Sequence, residues 1–235
     1  MLVVLSIGGS IIANDLDPER FVFYKNALSK LLPDHQLVIV TGGGKAARDY
    51  INVARSVGSN EVVCDFIGIE ITRLNAQLLI SAFGEDAYPE PPRTYKEAKL
   101  ALASDKVVVM GGVVPGQTTD AVSAILAEYL NADFLVIATS VDGVYSKDPR
   151  QDPNAKRYEK LSAKELVDVV ISTEIKAGSK SPVDPLAAKI IERCKMPTTI
   201  MDGTDPGQVT DLIMQENLKT EPVTGKHPGT RIICD

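Results

Sequence analysis

The chain has 235 residues, 44% of them hydrophobic and 24% charged, with a formal net charge of −6. That acidic balance gives no long-range pull on polyanions, so a nucleic-acid duplex is not expected as partner and phosphate chemistry must draw on local cations. Two histidines and three widely spaced cysteines argue against a histidine-rich metal site, a Ser-His-Asp triad and a disulfide framework.

Cys64, Cys194 and Cys234 therefore read as free thiols in a reducing compartment. No basic-then-apolar leader is seen, and no apolar run approaches the roughly 20 residues of a membrane span. The expected location is the cytoplasm, with no membrane partner. His35, after Pro33-Asp34, and His227, near the C-terminus, are expected at the surface.

In chain order, Leu2-Val3-Val4-Leu5 reads as a buried parallel strand ending in the glycine turn Ser6-Ile7-Gly8-Gly9-Ser10. Pro18 opens a helix that runs through Leu32, with Phe21, Leu28 and Leu31 on its apolar stripe. Residues 36–40 form a second strand, running into Thr41-Gly42-Gly43-Gly44-Lys45 and a helix to about Val57, which Gly58-Ser59-Asn60 ends. Ile67, Ile71, Leu74, Leu78 and Leu79 mark another helix over 66–83. The prolines from 89 to 92 mark a surface loop, 95–103 a short helix and 106–110 a strand.

That strand leads into Gly111-Gly112-Val113-Val114-Pro115-Gly116-Gln117-Thr118-Thr119-Asp120 and a helix from Ala121. A strand, a glycine turn and a hydroxyl-rich helix start make an anion cradle: glycines admit the ligand to the backbone, and free N–H groups at the helix start point at negative charge. The threonines can cap the helix and also donate to phosphate oxygens. Residues 132–139 form the next strand, 141–145 a turn and 147–155 an irregular loop. Helices over 162–171, 183–194 and 206–215 alternate with strands over 197–201 and 230–234. Residues 176–181, rich in Gly, Ser and Lys, suggest a flap. Strands alternating with helices predict a mainly parallel sheet covered on both faces, in one domain, 1–235.

Loops at the carboxyl ends of parallel strands share one edge, so the turns at Gly8-Gly9, Gly42-Gly43-Gly44 and Gly111-Gly112 can line one cleft for a ligand with several phosphates or carboxylates. Two familiar motifs nearly fit. Gly111 to Thr118 follows the Walker pattern except that Gln117 stands where lysine is required, which removes the phosphoryl clamp. Gly42-Gly43-Gly44-Lys45-Ala46-Ala47 satisfies the dinucleotide fingerprint, with Asp65 about 20 residues on. A dehydrogenase is thus a competitor, one that leaves the other glycine turns, the threonine pair and Arg48 unexplained.

Taken together, Ile7-Gly8-Gly9-Ser10, Gly42-Gly43-Gly44-Lys45 with Arg48, Asp65-Phe66-Ile67-Gly68, the 111–120 segment, Val141-Asp142-Gly143-Val144-Tyr145 with Asp148-Pro149, and Asp184-Pro185-Leu186-Ala187-Ala188-Lys189 resemble the amino acid kinase family, and within it the archaeal-type UMP kinases. The resemblance implies a three-layer αβα sandwich that moves the γ-phosphoryl group of Mg-ATP onto UMP, giving UDP for pyrimidine nucleotide synthesis. It also implies a homohexamer, a trimer of dimers.

By that resemblance Gly8, Gly9, Ser10 and Arg48 are catalytic, facing the phosphates in flight. Gly9, Ser10, Gly44, Arg48, Thr139, Tyr145 and Asp148 bind ATP. Gly43, Asp65, Val113, Val114, Pro115, Gly116, Gln117, Thr118 and Thr119 bind UMP, with Asp65 on the ribose. Mg²⁺ accompanies ATP, and no protein metal ligand is expected. From the residues alone, Asp65 caps the following helix or touches ribose, Asp120 caps its helix or orients the threonines, and Tyr145 packs in the core or meets nucleotide.

Three departures bear on the site. Ser6 stands where many members carry lysine, Ser140 replaces an asparagine, and Val113-Val114 replace a more polar pair. Lys180 is a candidate to supply a cation at the transferring phosphate. The rival readings are a carboxylate or carbamate kinase of the same family and a non-catalytic nucleotide-binding storage protein.

Overall fold

The computed structural model describes residues 1–147, 149, 152–174, 183–218 and 227–233. Among them one sheet is formed by β1 (Leu2–Ile7), β2 (Gln36–Thr41), β3 (Val108–Met110), β4 (Phe134–Thr139), β5 (Lys160–Ser162), β6 (Thr198–Asp202) and β7 (Gly229–Ile233), in the order β3-β2-β1-β4-β6-β7-β5. Every neighbouring pair is parallel except β6 with β7. The register aligns the strand ends: Ile7 lies beside Thr41 on one side and Ala138 on the other, and Val40 lies beside Met110.

These strands are aliphatic without alternation because helices cover both faces. Val3, Leu5 and Ile7 of β1 point to one layer, where they meet α2 (Pro18–Leu28), α4 (Glu61–Phe83) and α9 (Pro206–Leu218). Val4, with Val38 and Val40 of β2 and Leu135 and Ile137 of β4, points to the other. That layer holds α5 (Tyr95–Leu102), α6 (Thr119–Leu130), α7 (Ala163–Glu174) and α8 (Pro185–Cys194). The result is the expected three-layer αβα arrangement. Two further helices stand at the carboxyl edge of the sheet: α1 (Gly9–Ile12) and α3 (Gly44–Ser56).

Several local expectations are corrected. The turn after β1 winds at once into the single helical turn of α1. The helix from Pro18 ends at Leu28, and a 3-10 turn follows over Ser29–Leu31. Asn60, read as a helix stop, is the N-cap of α4, its side chain accepting from the Val63 amide at 3.0 Å. Val62, Val63 and Cys64 are therefore helical although the two valines are β-branched, because a good cap and tertiary packing outweigh propensity. By length and composition alone α4 is apolar enough to cross a membrane. Here its Ala76, Leu79, Ile80 and Phe83 are buried against the sheet.

β5 is three residues long and carries no signal of its own. His35 is 8% exposed rather than on the surface, its Nδ1 3.1 Å from the Leu31 carbonyl. His227 is half-buried, and burial lowers its pKa. Cys64 is buried and Cys194 partly so, both free. Cys234 and the expected flap at 176–181 lie outside the described residues.

Candidate functional site

The carboxyl ends of β1, β2 and β3 each pass into a glycine loop, and the first two loops meet through their main chains. Gly42 N donates to Ile7 O at 2.9 Å, and Gly8 N donates to Ala138 O at 2.9 Å. A Cβ on Gly9 would lie 2.7 Å from the Gly43 nitrogen, and one on Gly42 would lie 2.9 Å from the Gly9 Cα. Gly44 opens α3 at φ +66, a left-handed conformation that favours glycine. Only glycines let the first two loops touch in this way.

Two buried side chains of α4 brace the loops from below. Asn75 Nδ2 donates to Gly42 O at 2.8 Å and to Gly43 O at 3.3 Å. Thr72 Oγ1 accepts from Gly112 N at 2.7 Å and donates to Ile69 O at 2.6 Å. The Thr72 carbonyl in turn accepts from Thr41 Oγ1 at 3.0 Å. On the other flank, Arg20 anchors α1: its Nε donates to Ile11 O at 2.9 Å, and its other two nitrogens donate to Thr204 O and Gly203 O.

The loops enclose a cleft of about 360 Å³, lined among others by Gly9, Ser10, Gly43, Gly44, Arg48, Asp65, Val114, Gln117, Thr118 and Thr119. The N-termini of α1, α3 and α6 all border it. First-turn amides of a helix have no intrahelical acceptor, so this wall offers oriented N–H donors and partial positive charge. Arg48, in the second turn of α3, adds a full positive charge; among the described residues no carboxylate pairs with it. Chemically, such an arrangement can hold a polyphosphate by backbone amides and one guanidinium.

Asp65 lies inside α4, so it neither caps a helix nor ends a strand. Its Oδ2 accepts from Gly116 N at 2.8 Å, which ties the 113–117 loop to the helix, and Asp65 lines the cleft. Thr118, not Asp120, is the N-cap of α6, accepting from the Ala121 amide at 3.2 Å. Asp120 sits beneath the threonines and accepts from Ser6 Oγ at 2.9 Å. Burial pushes its pKa up to about 6, a rise that the Ser6 hydrogen bond reduces and the nearby Asp184 carboxylate increases.

A model of the amino acid kinase family matches residues 1–202 of this chain. The chain belongs to the amino acid kinase family. A uridylate kinase of Methanococcoides burtonii is 71% identical over 99% of this chain and the whole of that protein. One of Halobacterium salinarum is 48% identical over all of this chain and 94% of its own. The crystal structure of a uridylate kinase from Archaeoglobus fulgidus superposes with a TM-score of 0.85 at 42% identity, covering 99% of this chain and all of that one.

In this amino acid kinase the structure gathers ten of the expected residues in the cleft wall. Gly8 lies just behind, as the N-cap of α1 against β4. Gly116 reaches Asp65 through its amide, and Val113 and Pro115 belong to the same loop. Thr139 stands beyond Gly8 at the end of β4, where its carbonyl accepts from Gly203 N at 2.9 Å. Tyr145 is not a core residue; its hydroxyl donates to Asp142 Oδ1 at 2.6 Å at the surface. Asp148 and Lys180 lie outside the described residues.

Thr72, Asn75 and Arg20 are the residues the sequence reading misses. Two polar residues three apart on an otherwise apolar helix face are the signal that marks Thr72 and Asn75. Among the described residues no group of three or more His, Cys, Asp or Glu side chains is placed to hold a metal.

Proposed function

We infer that the chain transfers the γ-phosphoryl group of ATP to UMP, giving UDP. The observation that carries this reading is the convergence of three glycine loops, three helix N-termini and Arg48 on one cleft. Phosphoryl transfer asks a protein for alignment of donor and acceptor and for neutralisation of charge on the equatorial oxygens, with little covalent chemistry.

Gly8, Gly9 and Ser10 present amides to the group in flight, and Gly44 and Arg48 hold the ATP phosphates on one side. Thr139, Tyr145 and Asp148 hold its adenosine end. Gly43 and the 113–119 loop hold UMP, with Asp65 accepting from its ribose. The acceptor is already a phosphate anion at neutral pH, so no general base is needed. Mg²⁺ screens the phosphate charge when bound; lacking a carboxylate cage, these residues suit a metal carried on the nucleotide oxygens and water.

All 235 residues act as one kinase domain, supported by a sheet whose strands run from residue 2 to residue 233. The protein works in the cytoplasm as a homohexamer. Supporting assembly with copies of itself, Tyr50 and Val53 of α3, Val57 just after it, and Phe66, Leu74 and Leu78 of α4 are exposed apolar side chains.

The deciding measurement is ADP release from Mg-ATP with UMP, CMP, AMP, acetylglutamate or no acceptor. Turnover that requires UMP is the expected result. Turnover on acetylglutamate alone would make it a carboxylate kinase, and ATP binding without turnover on any acceptor would make it a storage protein.

A further inference from the structure

The side chain of Gln117 has two ends of opposite hydrogen-bonding sense, an acceptor oxygen and a nitrogen with two donors. Gln117 lines the cleft, and its Oε1 accepts from the Tyr95 hydroxyl at 2.7 Å. Tyr95 is the first residue of α5, held by the helix start itself: Thr94 caps it, accepting from the Glu97 amide at 3.1 Å. Burial pushes the Tyr95 pKa up to about 12, so the phenol keeps its proton throughout the physiological range.

Among the described residues nothing else accepts that proton, and nothing accepts from Gln117 Nε2. Turning the amide over would leave the half-buried hydroxyl proton without an acceptor. The amide is therefore held with its nitrogen free, and it offers N–H donors to whatever occupies the cleft.

Uracil and cytosine differ at N3, a donor N–H in the first and an acceptor in the second, and at C4. Uracil has a carbonyl oxygen there, and cytosine has an amine. A fixed donor pairs with the first and meets the second donor to donor. We infer, on the reading of UMP as acceptor, that Gln117 reads the C4 carbonyl of the base and that Tyr95 is the positioning residue that keeps its amide donor-forward. The pair thereby selects 4-oxo over 4-amino pyrimidine nucleotides. A site built to pair with one group rejects the analogue lacking it because its own polar atoms are then left unpaired.

The test is kcat and KM for UMP and for CMP, by ADP release at saturating Mg-ATP, in the parent chain, Tyr95→Phe and Gln117→Glu. Tyr95→Phe removes one oxygen and frees the amide to turn, so the UMP:CMP ratio of kcat/KM is expected to fall about tenfold, mainly through KM. Gln117→Glu offers only acceptors at neutral pH and is expected to lower UMP turnover while sparing or raising that of CMP. Equal fractional losses on both substrates would overturn the assignment, since a structural role or a contact to the shared C2 carbonyl does that. An unchanged ratio in both variants would overturn it as well. If Tyr95→Phe fails to melt cooperatively, Gln117→Glu decides alone. Parent protein that turns over neither nucleotide would refute the UMP reading itself, an outcome distinct from turnover with unaltered selectivity.

Discussion

Replacing Thr72 by valine isolates the brace beneath the third glycine loop. Valine keeps the shape and β-branching of threonine and removes only the hydroxyl. That hydroxyl accepts from the Gly112 amide at 2.7 Å and donates to Ile69 O at 2.6 Å, with Thr72 8% exposed and Gly112 buried. The Ile69 carbonyl lies within α4, where the helix supplies another donor, so its loss matters little. The Gly112 amide has no such recourse, and leaving a buried donor unpaired costs about 1–3 kcal/mol.

For a domain of this size each kcal/mol lowers Tm by about 2–4 °C, so a loss of about 2 kcal/mol is expected to lower Tm by about 4–8 °C. The same loop carries Gln117, Thr118 and Thr119 into the cleft, so KM for UMP should rise while KM for ATP stays near its parent value. Differential scanning calorimetry and initial rates measure both. Thr72→Ser, which keeps the oxygen, is the control and should recover most of the UMP affinity. A valine variant with Tm within about 1 °C of the parent and unchanged KM for UMP would refute the reasoning.

Two further outcomes follow from the site. Arg48→Ala removes the guanidinium from the cleft wall and is expected to lower kcat by about 10²–10³-fold at saturating substrates, as loss of a fixed charge stabiliser does; single-turnover rates within fivefold of the parent, about fivefold being the limit of a surface ion pair, would exclude the role. Asp120 has its folded pKa raised to about 6 from a usual 3.8, so between those values the folded chain binds more protons than the unfolded one and stability falls as pH rises. The fall amounts to at most about 3 kcal/mol, complete above the folded pKa. Asp120→Asn should flatten that part of the curve of Tm against pH from 4 to 7, and a variant with the parent's slope would show that the carboxyl titrates elsewhere.

The backbone part of the site is legible in the chain because it rests on glycine, whose role at a strand end is local. Gly8-Gly9, Gly42-Gly43-Gly44 and Gly111-Gly112 follow runs of β-branched residues, and the topology then has little choice about where they meet. What escapes is what depends on distant partners. Thr72 bonds an amide 40 residues away, and Asn75 a carbonyl 33 away. No pattern within one helix announces either partner. Asp65 suggests a ribose acid of a dinucleotide fold only by its spacing from the glycines; Asn60 at the N-cap puts it inside a helix instead. His35 sits after a proline turn, yet the 3-10 turn over Ser29–Leu31 folds it inward.

The contact of Gly9 with Gly43 and Gly44 has a consequence for how such an enzyme can change. Where the first two loops meet, position is set by peptide planes, with no rotamer to adjust and no volume to trade. A substitution there is all or nothing, and an inserted residue in one loop would displace the other. Elsewhere the cleft is lined by side chains, among them Val114 and Gln117, the latter held by Tyr95, which substitution can change without moving the backbone. Divergence toward a different acceptor is therefore channelled: the machinery of transfer is inherited intact, and new specificities arise by editing those side chains.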